Sequence, residues 1–320
     1  MSIDDADRRH LSAVIDEVRG AMSQVIEGKS DQIDTSLATL LAEGHLLLED
    51  VPGVGKTMLA KALARAIDCS VHRIQFTPDL LPGDITGMSV FNQETREFEF
   101  KPGGVFANIV VGDEINRASP KTQSALLEAM AERTVSVDGV THRLEAPFMV
   151  VATQNPIEME GTYPLPEAQR DRFMTRITMG YPARAAELSM LESHGASNPL
   201  DDLRPVTDAA TVNRLIATTR RVHVAPAVKD YIVDIVAATR SSSALRLGAS
   251  PRASLHLLRI ARARAAMSGR DYTIPDDISS IAPAVLGHRV LMSTQAQLAG
   301  RTVDRVVSDI VASVPIPDRR

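Results

Sequence analysis

The sequence has no tryptophan, a single cysteine and only 3% aromatic residues. Each scarcity excludes something. Cys69 has no second cysteine to pair with, so no intrachain disulfide can support the fold; it fits a reducing compartment and reads as a small buried hydrophobe rather than a reactive thiol. With so few aromatics there is little from which to build the stacking platforms of single-stranded nucleic-acid binders. No apolar run approaches the ~20 residues that span a bilayer, and the opening MSIDDADRRH lacks the apolar centre of a signal peptide. A soluble, cytoplasmic protein without membrane insertion is expected. A formal charge of −5, with a pI of about 5.9, argues against a general electrostatic grip on nucleic acid. His45, His72 and His142 have neither the mutual spacing nor the neighbouring cysteines of a metal site and read as strand or hairpin residues.

The 320 residues, 44% of them apolar, suffice for one large domain or two ordinary ones with a sizeable core. In the first half, GHLLLED, CSVHRIQF, ANIVVGDE, APFMVVAT and TRITMG read as short buried strands of a parallel sheet. Between the first two, KTMLAKALARAI places Leu59, Leu63 and Ala66 on one helical face. Strand, turn, helix and strand in this order predict an α/β fold. Two stretches, GMSVFNQETREFEFKPGG and RTVSVDGVTHRL, alternate differently and contain turn chemistry, Asn92 to Thr95 in one and Asp138-Gly139 in the other; both predict hairpins projecting from the sheet. After Tyr181-Pro182 the strand pattern gives way to helical spacing, interrupted by loops at SHGASNPLDDLRP and SSSALRLGASPR. The expected organisation is an α/β core over residues 1–183 and an all-helical domain over 184–320. In the latter, Arg259, Arg262 and Arg264 read as a solvated or intersubunit face, and Met159 and Met174 before it as packing residues.

Chemistry concentrates at EDVPGVGKT. The phosphate-binding pattern G-x-x-x-x-G-K-[ST] is met by Gly55, Lys56 and Thr57, whereas Asp50 stands in place of the first glycine. A phosphate needs backbone N–H groups turned inward and a helix N-terminus behind them. Gly53, Gly55 and the helix beginning near Lys56 supply both. Lys56 would reach the β- and γ-phosphates, and the Thr57 hydroxyl would bind Mg²⁺. The first glycine donates no side chain, so Asp50 is compatible with the site.

Such a loop needs a carboxylate at the end of a neighbouring buried strand. NIVVGDEINRAS provides Asp113, placed to hold Mg²⁺, and Glu114, placed to polarise an attacking water. Asn155, in FMVVATQNP, ends a further strand; from the residues alone it could orient the lytic water, sense the γ-phosphate or simply form a turn before Pro156.

The stretches GHLLLEDVPGVGKT, GDEINRASPKTQSALLEAM, VVATQNPIEMEGTYPLPEAQRDRF and GASPRA together resemble the AAA+ ATPases, and within them the MoxR family, over nearly the whole chain. The resemblance implies a nucleotide loop comprising Asp50, Pro52, Gly53, Val54, Gly55, Lys56, Thr57 and Met58, with ATP and Mg²⁺ as ligands, and MoxR-like loops tolerate Asp in place of the first glycine. It implies that Asn155 is the sensor 1 residue, that Arg252 is the sensor 2 residue reaching from the lid to the phosphates, and that Arg172 is an arginine finger, with Arg170 its rival. A homo-oligomer, a hexameric ring completed across subunit interfaces, follows from the same resemblance. So do hairpin inserts that line a pore or touch substrate, and a separate von Willebrand A-domain protein as partner in complex assembly or in metal or cofactor insertion. Gly112 departs from the larger residue that many relatives carry before the Asp-Glu pair. The competing functions are an MCM-like nucleic-acid translocase and a nucleotide-gated scaffold with little turnover.

Overall fold

Five short segments pair into a parallel sheet, four of them largely buried; the fifth, Val71–Gln75, expected to be buried, is an edge strand whose residues other than Ile74 are exposed. The computed structural model describes residues 3–155, 162–185, 187–188 and 199–317. Strands β1 (Leu46–Glu49), β2 (Val71–Gln75), β5 (Ile109–Asp113), β8 (Met149–Gln154) and β9 (Thr175–Ile177) lie in the order β2-β5-β8-β1-β9. All the neighbouring pairs are parallel. These are the five strands that the sequence pattern predicts.

Both faces of the sheet are covered, which is why its central strands read as continuous apolar runs rather than alternating ones. Alternation instead sorts residues between two cores. Leu46, Leu48, Ile109, Val111, Met149 and Val151 face the core shared with helices α1 (Asp5–Ser23), α2 (Ser30–Leu41) and α3 (Lys56–Ala66). Leu47, Val110, Val150 and Ala152 face the other, shared with Ile85 of α4 (Pro82–Thr86) and with Leu126, Leu127 and Met130 of α5 (Pro120–Glu132). Leu59, Leu63 and Ala66 of α3 are all buried, as their spacing predicts. Truncating a leucine at such a position costs about 2–5 kcal/mol. The helix α5 starts at a cap: Ser119 Oγ accepts from Thr122 N at 3.4 Å, and Pro120 fills the first turn. Gly112 has a packing reason, since a Cβ there would stand 3.3 Å from Phe76 and 3.4 Å from Leu126.

The two predicted hairpins form. In the first, β3 (Met88–Asn92) pairs antiparallel with β4 (Glu97–Lys101). In the second, β6 (Thr134–Val137) pairs with β7 (Val140–Arg143), and Asp138 and Gly139 both adopt positive φ, as a two-residue turn of this kind requires. His142 of the second hairpin stacks on Phe100 of the first, with centroids 3.8 Å apart and planes 13° from parallel. Phe91 and Phe98 meet edge to face near the first tip, and Phe98 is 74% exposed.

The C-terminal part is built mainly from helices Ala209–Arg220, Pro226–Ser241, Pro251–Met267 and Val303–Ser313. One feature escapes the helical pattern: Leu245–Leu247 and Leu291–Met292 pair as a two-stranded antiparallel ribbon. The Pro251–Met267 helix packs on α1 and α2 as well as on its lid neighbours, so a single apolar cluster runs from beneath the sheet into the lid. Of the residues read from sequence, Met159 and residues 193–198 of the first lid loop lie outside the described residues. No helix among the described residues is long and apolar enough to cross a membrane.

Candidate functional site

The carboxyl ends of the parallel strands gather most of the predicted site. The chain leaves β1 through Asp50 and enters α3 at Lys56. Gly53 and Gly55 hold φ of +82° and +89°, and a Cβ at either would meet nothing within 4 Å. Their requirement is therefore conformational, not spatial. Asp50 has a defined task in the loop. Its Oδ1 accepts from Val51 N at 2.7 Å, and its Oδ2 accepts from Gly180 N at 2.5 Å, tying the loop to the segment beyond β9. Lys56 Nζ donates to the Asp50 carbonyl at 2.5 Å.

Next to the loop, Thr57 Oγ1 donates to Asp113 Oδ2 at 3.2 Å. The same oxygen accepts from Arg73 Nε at 2.9 Å, while Thr153 Oγ1 donates to Oδ1 at 2.6 Å. Burial works against ionisation of Asp113, but the Thr153 hydrogen bond, then Arg73 and Thr57, outweigh it and hold the carboxyl below its usual range. Thr153 also accepts from Glu114 N at 2.9 Å, so one hydroxyl links both acidic residues. Glu114 adopts a left-handed backbone, φ +57°, which turns the chain off the strand end. Its Oε2 accepts from Gln75 Nε2 at 2.9 Å and pairs with Arg117 Nε at 3.1 Å. Asn155 is buried one residue beyond β8, at the same edge of the sheet.

A cavity of about 250 Å³ opens beside the loop, lined by Gly53, Val54, Gly55 and Met58, by Gln24 to Glu27 and Lys29 between α1 and α2, and by Met179, Gly180, Pro182 and Pro199. Lys29 Nζ closes one wall by donating to the carbonyls of Met179 at 2.5 Å and Tyr181 at 3.0 Å. Its mixed apolar and backbone lining suits a nucleobase next to phosphates held by the loop. Among the described residues, no cluster of three or more His, Cys, Asp or Glu side chains could hold a metal by itself. Thr57 and Asp113 offer two hard oxygens, the kind of partial set on which Mg²⁺ is held together with phosphate and water.

Arg172 and Arg252 lie elsewhere. Arg252 was expected to reach down to the phosphates of its own chain; instead its NH1 pairs with Asp171 Oδ2 at 3.3 Å. Arg172 NH1 donates to the Leu127 carbonyl at 2.7 Å. Both arginines line a second cavity, of about 340 Å³, with Glu43, Gly44 and His45 at the amino-terminal end of β1. The length of β1, four residues at ~3.3 Å each, separates this cavity from the phosphate loop. The physical reason is the packing of the Pro251–Met267 helix against α1 and α2, which carries Arg252 to the opposite edge. Arg133, Arg220 and Arg259 also line the cavity, against the single carboxylate of Glu43 among the described residues. Burial opposes the Glu43 charge, yet hydrogen bonds from Arg220 and Arg133 keep its carboxyl below the usual range. Arg170 is absent from this lining, and its buried Nε has no hydrogen-bond partner among the described residues.

Arg73, Gln75, Thr153 and Lys29 were not found from sequence. The first two share a parity on β2, and the register that sets Gln75 opposite Asp113 brings them to the acidic pair. Their signal is the strand order, which no local pattern contains.

Residues 45–175 match the model of the ATPase family associated with various cellular activities (AAA), and residues 237–310 match that of the AAA lid domain. The chain is 50% identical over 299 residues to the uncharacterised protein YeaC of Bacillus subtilis, covering 93% of each. It is 42% identical to the chaperone MoxR1 of Mycobacterium tuberculosis, over 92% of this chain and 80% of that one. To the protein MoxR of Methylorubrum extorquens it is 31% identical, over 92% and 93% of the two chains. A crystal structure of a candidate ATPase from Cytophaga hutchinsonii superposes with a TM-score of 0.91 at 37% identity, covering 98% of each chain.

Proposed function

This chain belongs to the MoxR family of AAA ATPases and hydrolyses ATP, and on that premise we propose that it works as a ring of identical subunits that remodels or activates a separate protein. The cis half of each site comprises the loop from Asp50 to Met58, with Lys56 on the β- and γ-phosphates, Asp113 at the end of β5 and Glu114 just past it, and Asn155 beyond β8. Glu114 polarises the attacking water, and the Asn155 amide orients it. Thr57 and Asp113 would hold Mg²⁺, which when bound neutralises charge developing on the phosphates.

The observation that carries the ring is the separation of Arg172 and Arg252 from the phosphate loop by the length of β1. Neither is placed to serve the nucleotide of its own chain, whereas a cationic cavity at the far edge can receive the triphosphate of the next subunit. Both arginines are therefore assigned to the neighbouring site. An arginine supplied in this way accelerates phosphoryl transfer by about 10³- to 10⁵-fold, or roughly 4–7 kcal/mol of barrier. The core, residues 1–183, and the lid, 184–320, are the parts whose relative motion would do the work. A hexamer, a cytoplasmic location and a von Willebrand A-domain partner are carried over from the family resemblance. The exposed Phe91–Phe98 tip supports client contact through the first hairpin.

The test mixes Arg172→Ala subunits, dead as finger donors, with Glu114→Gln subunits, dead as hydrolysing sites. Mixed assemblies should regain turnover that neither variant has alone. Confirmed mixed rings without recovery would refute the assignment. Trapping with Glu114→Gln held in ATP would then identify the client.

A further inference from the structure

Asp171 stands between the two candidate finger residues, and among the described residues its carboxylate is grasped entirely from the lid. Oδ1 accepts from Arg289 Nε at 3.0 Å, Oδ1 and Oδ2 accept from Ser250 Oγ at 3.0 and 2.9 Å, and Oδ2 accepts from Arg252 NH1 at 3.3 Å. The Arg289 side chain is only 1% exposed. A guanidinium so deeply buried is tolerated only when its charge is paired and its donors are filled. Its remaining N–H groups go to the carbonyls of Asp171, Phe173, Met174 and Val285 and to Nδ1 of His256. Three of those four carbonyls belong to the turn that carries Arg172. The adjacent His288 bonds the Phe173 carbonyl a second time, at 3.0 Å.

Arg172 itself makes one side-chain hydrogen bond among the described residues, to the Leu127 carbonyl. Its aim is thus set by the turn beneath it more than by its own contacts. The planar guanidinium fork of Arg289 fixes that turn in orientation as well as position. Resting on the reading that Arg172 serves the adjacent subunit, we propose that Asp171 and Arg289 are positioning residues: through them the lid of one subunit sets the arginine of the neighbouring active site. Neither touches the nucleotide. A lid that shifts would carry the finger with it, linking the mechanical and chemical steps of the ring.

Asp171→Asn removes the charge while keeping the shape. Its homogeneous assemblies should lose kcat by roughly tenfold or more, with KM for ATP changed by less than about twofold and fluorescent ATP analogue bound as by the parent. Adding Glu114→Gln subunits, whose finger is intact, should restore turnover. Ser250→Ala, which deletes the single hydroxyl proton shared between the two oxygens of the same carboxylate and no charge, should show the same pattern at about threefold and decides the matter if Asp171→Asn fails to fold. Parent-level kcat in the folded variants would overturn the proposal. So would a loss that Glu114→Gln subunits fail to restore while Arg172→Ala mixtures do recover, because Asp171 would then be acting within its own subunit. If Arg172→Ala mixtures also fail, the trans-acting finger falls, and this inference with it.

Discussion

Gln75 Nε2 donates a 2.9 Å hydrogen bond to Glu114 Oε2 across the carboxyl ends of β2 and β5. The bond holds the Glu114 carboxylate toward the edge strand, where Arg117 also meets it. Gln75→Ala should free Glu114 and raise unstimulated ATP turnover. Releasing one hydrogen bond worth about 1 kcal/mol corresponds to roughly fivefold in rate. Steady-state phosphate release checks this; unchanged or diminished turnover would show that the bond aligns Glu114 rather than restraining it.

Asp50→Gly restores the usual first residue of the loop yet should harm the protein. It deletes the bonds to Val51 N and Gly180 N, which fasten the loop to the segment beyond β9. A loss of about 1–3 kcal/mol is expected, read as a lower thermal midpoint without nucleotide. A midpoint equal to or above the parent's would mean that the carboxylate contributes nothing there.

Three buried histidines should make the fold acid-labile well above the carboxylate range. Burial lowers His45 to about 4 and His256 to about 2, and pushes His288 well below its usual value, with Arg289 adding to the last two. The unfolded chain takes up protons near pH 6.5 and the folded chain does not, so stability is whole above that pH and declines as pH falls toward the folded values. Each histidine contributes up to about 1.4 kcal/mol per pH unit in that window. Urea midpoints at pH 7.5 and 5.5 should differ accordingly, and His45→Gln should flatten the difference; equal midpoints in the parent would contradict the neutral burial of these rings.

Much of the proposed cis half of the site is legible in sequence because its signals are local. Lys56 and Thr57 follow a strand and open a helix, Asp113 and Glu114 stand at and just past the end of a fully buried strand, and Asp138-Gly139 marks a hairpin turn. Thr153 and Gln75 carry no local mark. They reach the acidic pair only because β2 and β8 flank β5, an order that alternation cannot reveal. The position of Arg252 was misjudged for a related reason. Helical spacing shows which face of the Pro251–Met267 helix is apolar but not that this face seeks α1 and α2. The ribbon at Leu245 and Leu291 was missed because two or three residues give no period to detect.

The stacked rings of Phe100 and His142 make the two hairpins a geared pair rather than independent whiskers. Parting the rings forfeits a contact worth about 0.5–1.5 kcal/mol, so the two hairpins are coupled at this one point. One tip hangs from the stretch after α4 and the other from the end of α5. A load on either insert is therefore shared with the root of the other for as long as that contact holds.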